Sequence, residues 1–338
     1  MRRGVLCVGT ITVDYAKKID HIPSLETLVM IDEISKSTGG PGLNLAFDLK
    51  LLDPSLPVEA IGPIGADGDG QYVINQAKKC GVEFSRHQKI PNLLTAFTDA
   101  LTLNSDGKRT FLFHIGVCSE FDLSKIDLTQ SNAKILHIGS PGLHEKADAF
   151  DQNGNSQWVK LLMRAKELGM ETNAEMVQLD AEIQRKFILP CLPYLDMLII
   201  NESEAGALVG IETKVASADS GVDWVALEEI GRKLIAAGVL QVAVIHTPAG
   251  ALAFTSEGKV ARQGSVKVPT SSIRGTTGAG DAFASGFIYG HHEGWSIEES
   301  LKLGVAAAAQ NIQSSATSEG IAPYAETLKL ADKFGYRS

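Results

Sequence analysis

Gly278, Ala279 and Gly280 lead directly into Asp281, which sets a carboxylate after a turn of small residues. Glycine turns tightly because no Cβ obstructs its backbone. Beyond the turn Phe283, Phe287 and Ile288 recur at three- and four-residue steps, which predicts a helix. A helix opening on such a turn presents N–H groups that have no partner within the helix. With the positive end of the helix dipole they make an anion site. A carboxylate placed there would repel a bound phosphate, so it needs a task of its own. The task predicted here is general base. Asp281 takes the proton of a substrate hydroxyl, while the Gly278-Ala279-Gly280 backbone holds the charge of the group in transfer. Read alone, these residues fit a plain helix start equally well, because acidic residues are favoured in a first turn.

The longer string G-T-T-G-A-G-D-A-F-A-S-G, residues 275–286, closely resembles the C-terminal signature of the ribokinase-like (PfkB) carbohydrate kinases, D-T-x-G-A-G-D-x-F. The resemblance implies that Asp281 is the catalytic base and that the G-A-G turn is the hole for the γ-phosphate of ATP. Thr277 then belongs with the nucleotide. One residue departs from the pattern: the signature's first Asp is Gly275 here. In many members that Asp helps hold a monovalent cation, so potassium activation stays open.

A second glycine-rich string, T-G-G-P-G-L-N-L-A, occupies residues 38–46. Its glycines let backbone approach a ligand closely. Asn44 falls in the first turn of the helix that follows, where its amide could donate and accept, or could simply start the helix. The string matches the family's G-G-x-G-x-N-x-A, which implies that Gly40, Gly42 and Asn44 contact the sugar. Asp14 ends a predicted buried strand over residues 4–13, and the carboxyl ends of parallel strands are where such sheets bind ligands. Position alone also fits a solvated loop residue; the resemblance makes Asp14 a sugar-hydroxyl ligand.

Asn201 and Glu204 end a buried strand and start a helix, so an N-cap with a capping-box Glu accounts for them. They also match the family's N-x-x-E, which implies that Glu204 acts on Mg2+ through its water shell. Magnesium keeps several waters and needs few protein ligands. Gly250 matches the end of a family loop that borders the nucleotide, and Asn311, in the last alanine-rich helix, is a further nucleotide candidate that reads first as a packed helix end. Thr172, Asn173 and Glu175 correspond only loosely to the family's D-x-N and receive no role. Where the family often has G-A-N, this chain has Gly116-Val117-Cys118.

Buried strands alternate with helices along the chain, which predicts an α/β fold with a doubly wound, mostly parallel sheet and helices on both faces. The resemblance implies a ribokinase-like three-layer sandwich forming a single domain over residues 1–338. Segments at about 15–38 and 95–116 alternate apolar and polar residues, as strands with one covered face do. The resemblance implies that they supply the strands of a small β-sheet lid, the second pair joined at the turn Asn104-Ser105-Asp106-Gly107. Gly62, Gly65, Asp67 and Gly70 read as turn chemistry.

With a net charge of −9 over 338 residues, the chain is no nucleic-acid binder, since phosphate backbones want a basic face. Cys7, Cys80, Cys118 and Cys191 form no C-x-x-C pair and read as reduced thiols of a cytoplasmic protein. No apolar run is long enough to span a membrane. The combined expectation is a sugar kinase that uses ATP and Mg2+, with a homodimer suggested by relatives. A nucleoside kinase and a non-catalytic sensor on the same fold are the alternatives. An NAD-dependent oxidoreductase fits poorly, because Gly4 and Gly9 do not make the G-x-G-x-x-G of a dinucleotide turn.

Overall fold

The computed structural model describes residues 2–105, 107–213, 217–219, 221–314 and 320–337; Asp106 of the expected lid turn lies outside them. The chain runs through β1 (Val5–Gly9), β2 (Thr12–Ile19), β3 (Ile31–Gly39), α1 (Pro41–Leu52), β4 (Val58–Ile61), β5 (Pro63–Gly65), α2 (Gly68–Cys80), β6 (Gln88–Ile90), β7 (Phe97–Leu103) and β8 (Arg109–His114). It continues through β9 (Ile135–Gly139), α3 (Glu145–Asp148), α4 (Gln157–Glu167), β10 (Glu171–Glu175), α5 (Ala181–Ile188), β11 (Met197–Asn201), α6 (Glu202–Val209) and α7 (Trp224–Ala236). The last part holds β12 (Val242–Thr247), β13 (Gly250–Thr255), β14 (Val260–Gly264), α8 (Ala279–His292), α9 (Ile297–Asn311) and α10 (Tyr324–Phe334).

The main sheet has the order β14-β13-β12-β11-β10-β9-β1-β4. Its strands from β12 to β4 pair in parallel, and β13 and β14 close one edge antiparallel. Parallel strands are covered on both faces, so they read as continuous apolar runs. Val5, Cys7, Ile135, Met197, Ile199, Val242 and Val244 face α1, α8 and α9. The alternate residues Leu6, Val8, Leu136, Ile138, Leu198, Ile200, Ala243 and Ile245 face α4, α6 and α7. The doubly wound α/β architecture expected from the sequence is the one observed.

A separate four-stranded sheet has the order β3-β2-β7-β8, with β2 and β7 parallel and both outer pairs antiparallel. Here one expectation needs correction. Residues 4–13 are not one strand ending at Asp14. The chain leaves the main sheet after Gly9, and Asp14 is the third residue of β2 in the small sheet. The apolar run hid the change of sheet because Ile11 and Val13 are as buried as Val5 and Cys7.

Candidate active site

Asp281 lies in the first turn of α8. Gly278, the residue ahead of that helix, has φ 79 and ψ 0, a left-handed conformation that glycine adopts without strain. Four N–H groups at a helix start lack i−4 partners. At α8 the Ala279 N–H bonds Thr276 O at 3.3 Å and that of Ala282 bonds Gly278 O. The Gly280 and Asp281 N–H groups donate to no described residue. The turn therefore keeps two amides directed outward beside the carboxylate, and the helix dipole adds to their field.

α1 packs beside α8 and starts in the same place. Gly40 precedes it with φ 87, and a Cβ there would overlap the Thr10 carbonyl. Pro41 at the first helical position loses no hydrogen bond, since its N–H would be an orphan anyway. Asn44 in this first turn donates from Nδ2 to Asp281 Oδ2 at 2.8 Å. Asp281 is thereby tied to the start of α1.

These groups open into a cavity of about 910 Å³. Of the residues expected at a site, Asp14, Gly40, Asn44, Asn201, Glu204, Thr277, Gly278, Gly280 and Asp281 all line it. A second cavity of about 410 Å³ adjoins it, sharing Asn201, His246, Thr276 and Gly280, with Ala308, Ala309 and Val305 of α9 on its wall. The start of α8 thus stands between a large chamber and a smaller, more apolar one.

Four of the expected residues are placed differently. Gly42 does not line the cavity; a Cβ there would come within 3.1–3.2 Å of the Gly9 backbone, so Gly42 serves the close packing of α1 on β1. Ala279 faces the smaller cavity, and its N–H is already engaged. Gly250 lines neither cavity; its Cβ would meet Gln263 O at 2.6 Å, which makes it a packing residue of β13. Asn311 is buried behind the smaller cavity, whose wall is built by its neighbours Ala308, Ala309 and Ile312.

Asp14 is nearly buried. Thr12 Oγ1 donates to it at 3.0 Å, and a Cβ on Gly39 would overlap its carboxylate. Burial raises its pKa, with the Thr12 and Thr98 hydroxyls opposing and Asp281 adding to the rise. Asn201 and Glu204 form a full capping box: Asn201 Oδ1 accepts from Glu204 N at 2.9 Å, and Glu204 Oε2 accepts from Asn201 N at 3.1 Å. The capping reading of this pair is realised, and the same carboxylate lines the cavity. Burial pushes Glu204 up to about 8; its bonds to Asn201 oppose this, while Glu202 and Asp281 reinforce it.

Three further groups carried no usable signal in the sequence. Glu175, at the end of β10, lines the cavity and reaches the Asp281 carboxyl; burial, then Asp281, raise its pKa well above the usual range. Asp48, one turn beyond Asn44, is fully buried and its carboxyl oxygens have no hydrogen-bond partner. Arg109, on β8, enters the cavity from the small sheet. A loosely matched T-N-A-E string, a helical Asp and a strand Arg are all ordinary in sequence, and only the fold brings them together.

Crowded carboxyl groups with raised pKa values are what a divalent cation offsets. The donors are oxygens, which suits Mg2+. Among the described residues no three His, Cys, Asp or Glu cluster tightly enough to hold a metal directly. The set therefore fits an ion held mainly by waters and by the phosphates of a ligand.

Residues 2–323 match the pfkB family of carbohydrate kinases. The chain belongs to that family. It is 26% identical over 336 residues to the 5-dehydro-2-deoxygluconokinase of Clostridium perfringens, covering 96% of this chain and 91% of that protein. It is 25% identical over 323 residues to the ribokinase of Lactococcus lactis, covering 91% and 90%. Among solved structures, Arabidopsis thaliana ribokinase in complex with ribose and ATP superposes with a TM-score of 0.80 at 21% identity, over 98% of this chain and 99% of that one. This pfkB protein is thus an ATP-dependent carbohydrate kinase with the ribokinase fold. No helix among its described residues is long and apolar enough to cross a membrane.

Proposed function

We propose that Asp281 is the general base of this kinase, and that its substrate sits in the larger cavity between the small sheet and the start of α8. A sugar hydroxyl beside Asp281 gives its proton to the Asp281 carboxylate. The sugar oxygen bonds the γ-phosphorus of ATP, the bond from that phosphorus to the bridging oxygen breaks, and ADP leaves. The Gly280 and Asp281 amides, with the dipole of α8, face the equatorial oxygens, where phosphoryl transfer spreads its charge. Asn44 fixes the rotamer of Asp281. Asp14 and Gly40 hold the acceptor's other hydroxyls and backbone. The smaller cavity takes the adenine side of the nucleotide, with Thr277 and Asn201 toward the phosphates.

When bound, Mg2+ would neutralise charge between the phosphates. Glu204 and Glu175 are placed to hold its waters, with one Glu204 oxygen anchored by the Asn201 amide. Gly275 offers no side chain to a monovalent cation, and the Arg109 guanidinium occupies the space beside it, so turnover should not depend on potassium. The four-stranded sheet acts as the lid, excluding water when substrate is bound. Four free cysteines, three of them buried, fit a cytoplasmic setting.

The observation that carries this reading is the Asp281 carboxylate, tied down by Asn44 beside two uncommitted amides in one cavity. The test is coupled ADP formation together with detection of a phosphorylated product, across pentoses, hexoses, sugar acids and nucleosides, with Mg2+ and with a chelator. Product formed only with Mg2+ supports it. Binding of sugar and ATP without turnover on any acceptor would mark a sensor instead.

A further inference from the structure

Position 275 carries glycine where the related signature carries aspartate. Across the cavity mouth, Nη2 of Arg109 lies 3.3 Å from where a Cβ on residue 275 would stand. A carboxylate at 275 would be an ion-pair partner for this guanidinium. Glycine leaves the charge uncommitted, and among the described residues no hydrogen bond or ion pair reaches Arg109. Burying an unpaired guanidinium even partly is costly, so such a group is held for a ligand or tolerated at a loss.

The surroundings say which ligand. Arg109, Phe111 and Phe113 alternate along β8 and all three line the cavity. Lys108 lines the cavity beside Arg109, and the carboxyl groups Asp14, Glu175, Glu204 and Asp281 line it elsewhere. Arg109 reaches the cavity from β8 of the small sheet, the sheet that also carries Asp14, whose charge acts on it. The guanidinium therefore stands on the side where Asp14 takes the acceptor. A guanidinium matches a carboxylate in shape and charge.

We propose that the acceptor is a sugar acid, an aldonate or keto-aldonate, whose carboxylate is bound by Arg109 while Asp14 takes its hydroxyls and Phe111 and Phe113 cover its carbon chain. This deepens the kinase reading and rests on it only for the word acceptor.

The test compares D-gluconate and 5-keto-D-gluconate with D-glucose, D-fructose, D-ribose, adenosine and fructose 6-phosphate. Wild type, Arg109→Met and Gly275→Asp are each assayed for kcat/KM, and for gluconate affinity by calorimetry without ATP. The expected result is that wild type prefers the acids. Arg109→Met then lowers kcat/KM for them by roughly 10- to 100-fold, the worth of a charged hydrogen-bonded pair, and by a much smaller factor for neutral acceptors. Gly275→Asp should reproduce this selective loss by occupying the guanidinium. Arg109-dependent gluconate binding without turnover would uphold the inference and remove the kinase reading. Preference for a neutral sugar, a nucleoside or a sugar phosphate would overturn it, as would an Arg109→Met variant that raises KM for ATP equally with every acceptor.

Discussion

The Asn44 side chain donates to the Asp281 carboxylate at 2.8 Å, joining the first turns of α1 and α8. Each helix start follows a glycine with positive φ, Gly40 for one and Gly278 for the other. Two turns that are separately ordinary thus become one device, an amide that orients a carboxylate.

From this contact a first prediction follows. Asn44→Leu removes the donor and leaves the Asp281 carboxylate short of a partner. A hydrogen bond to a charged group is worth about 1.5–3 kcal/mol, so kcat should fall by roughly 10- to 100-fold with KM for ATP little changed. Steady-state kinetics in both substrates checks it; a defect confined to KM for ATP would detach Asn44 from the base.

A second prediction concerns pH. Glu204 has a folded pKa of about 8 against an ordinary 4.5. A carboxyl raised in this way contributes stability that is whole below its unfolded pKa and is lost as pH rises through the folded one. Stability of the ligand-free protein should therefore decline between about pH 4.5 and 8. Gln at this position can still accept from the Asn201 amide, so Glu204→Gln should flatten that decline while keeping the helix cap. Thermal melts of both proteins across the range decide it, and parallel curves would contradict the assignment. His137 and His246, depressed by burial to about 3 and about 4, act oppositely, losing stability in acid, and are common to both proteins.

A third prediction separates glycines that look alike in sequence. Gly40→Ala must adopt a positive φ and overlap the Thr10 carbonyl, so it should cost about 1–3 kcal/mol and lower the melting temperature. Gly68→Ala, at the start of α2 with nothing within 4 Å, should be neutral or slightly stabilising. Equal melting temperatures for the two variants would show that α1 does not need its left-handed entry.

Much of this was legible in the residues. Apolar strand runs alternating with helices indicated a doubly wound sheet, because strands covered on both faces need side chains of one kind. The turn before Asp281 and the Asn201–Glu204 pair lie on the cavity as expected, since local spacing alone fixes such motifs. What spacing could not show was relation between distant segments. Gly42 shares its string with Gly40, yet it faces β1 because the helix turns it away from the cavity. Asp14 stands in the small sheet because burial continues unbroken from Val5 to Val13 while the chain changes sheets. Glu175 and Arg109 gain meaning only from what they face, across gaps of about a hundred residues or more.

The most direct test of the central claim is the turnover of Asp281→Asn with ATP, Mg2+ and the best acceptor. Asn keeps the shape and can still meet Asn44, but it cannot take a proton. General base catalysis is worth roughly 10²- to 10⁴-fold, so kcat should fall by at least that lower bound while ATP affinity, read by calorimetry, stays at the wild-type value. Turnover within a few-fold of wild type would contradict the account.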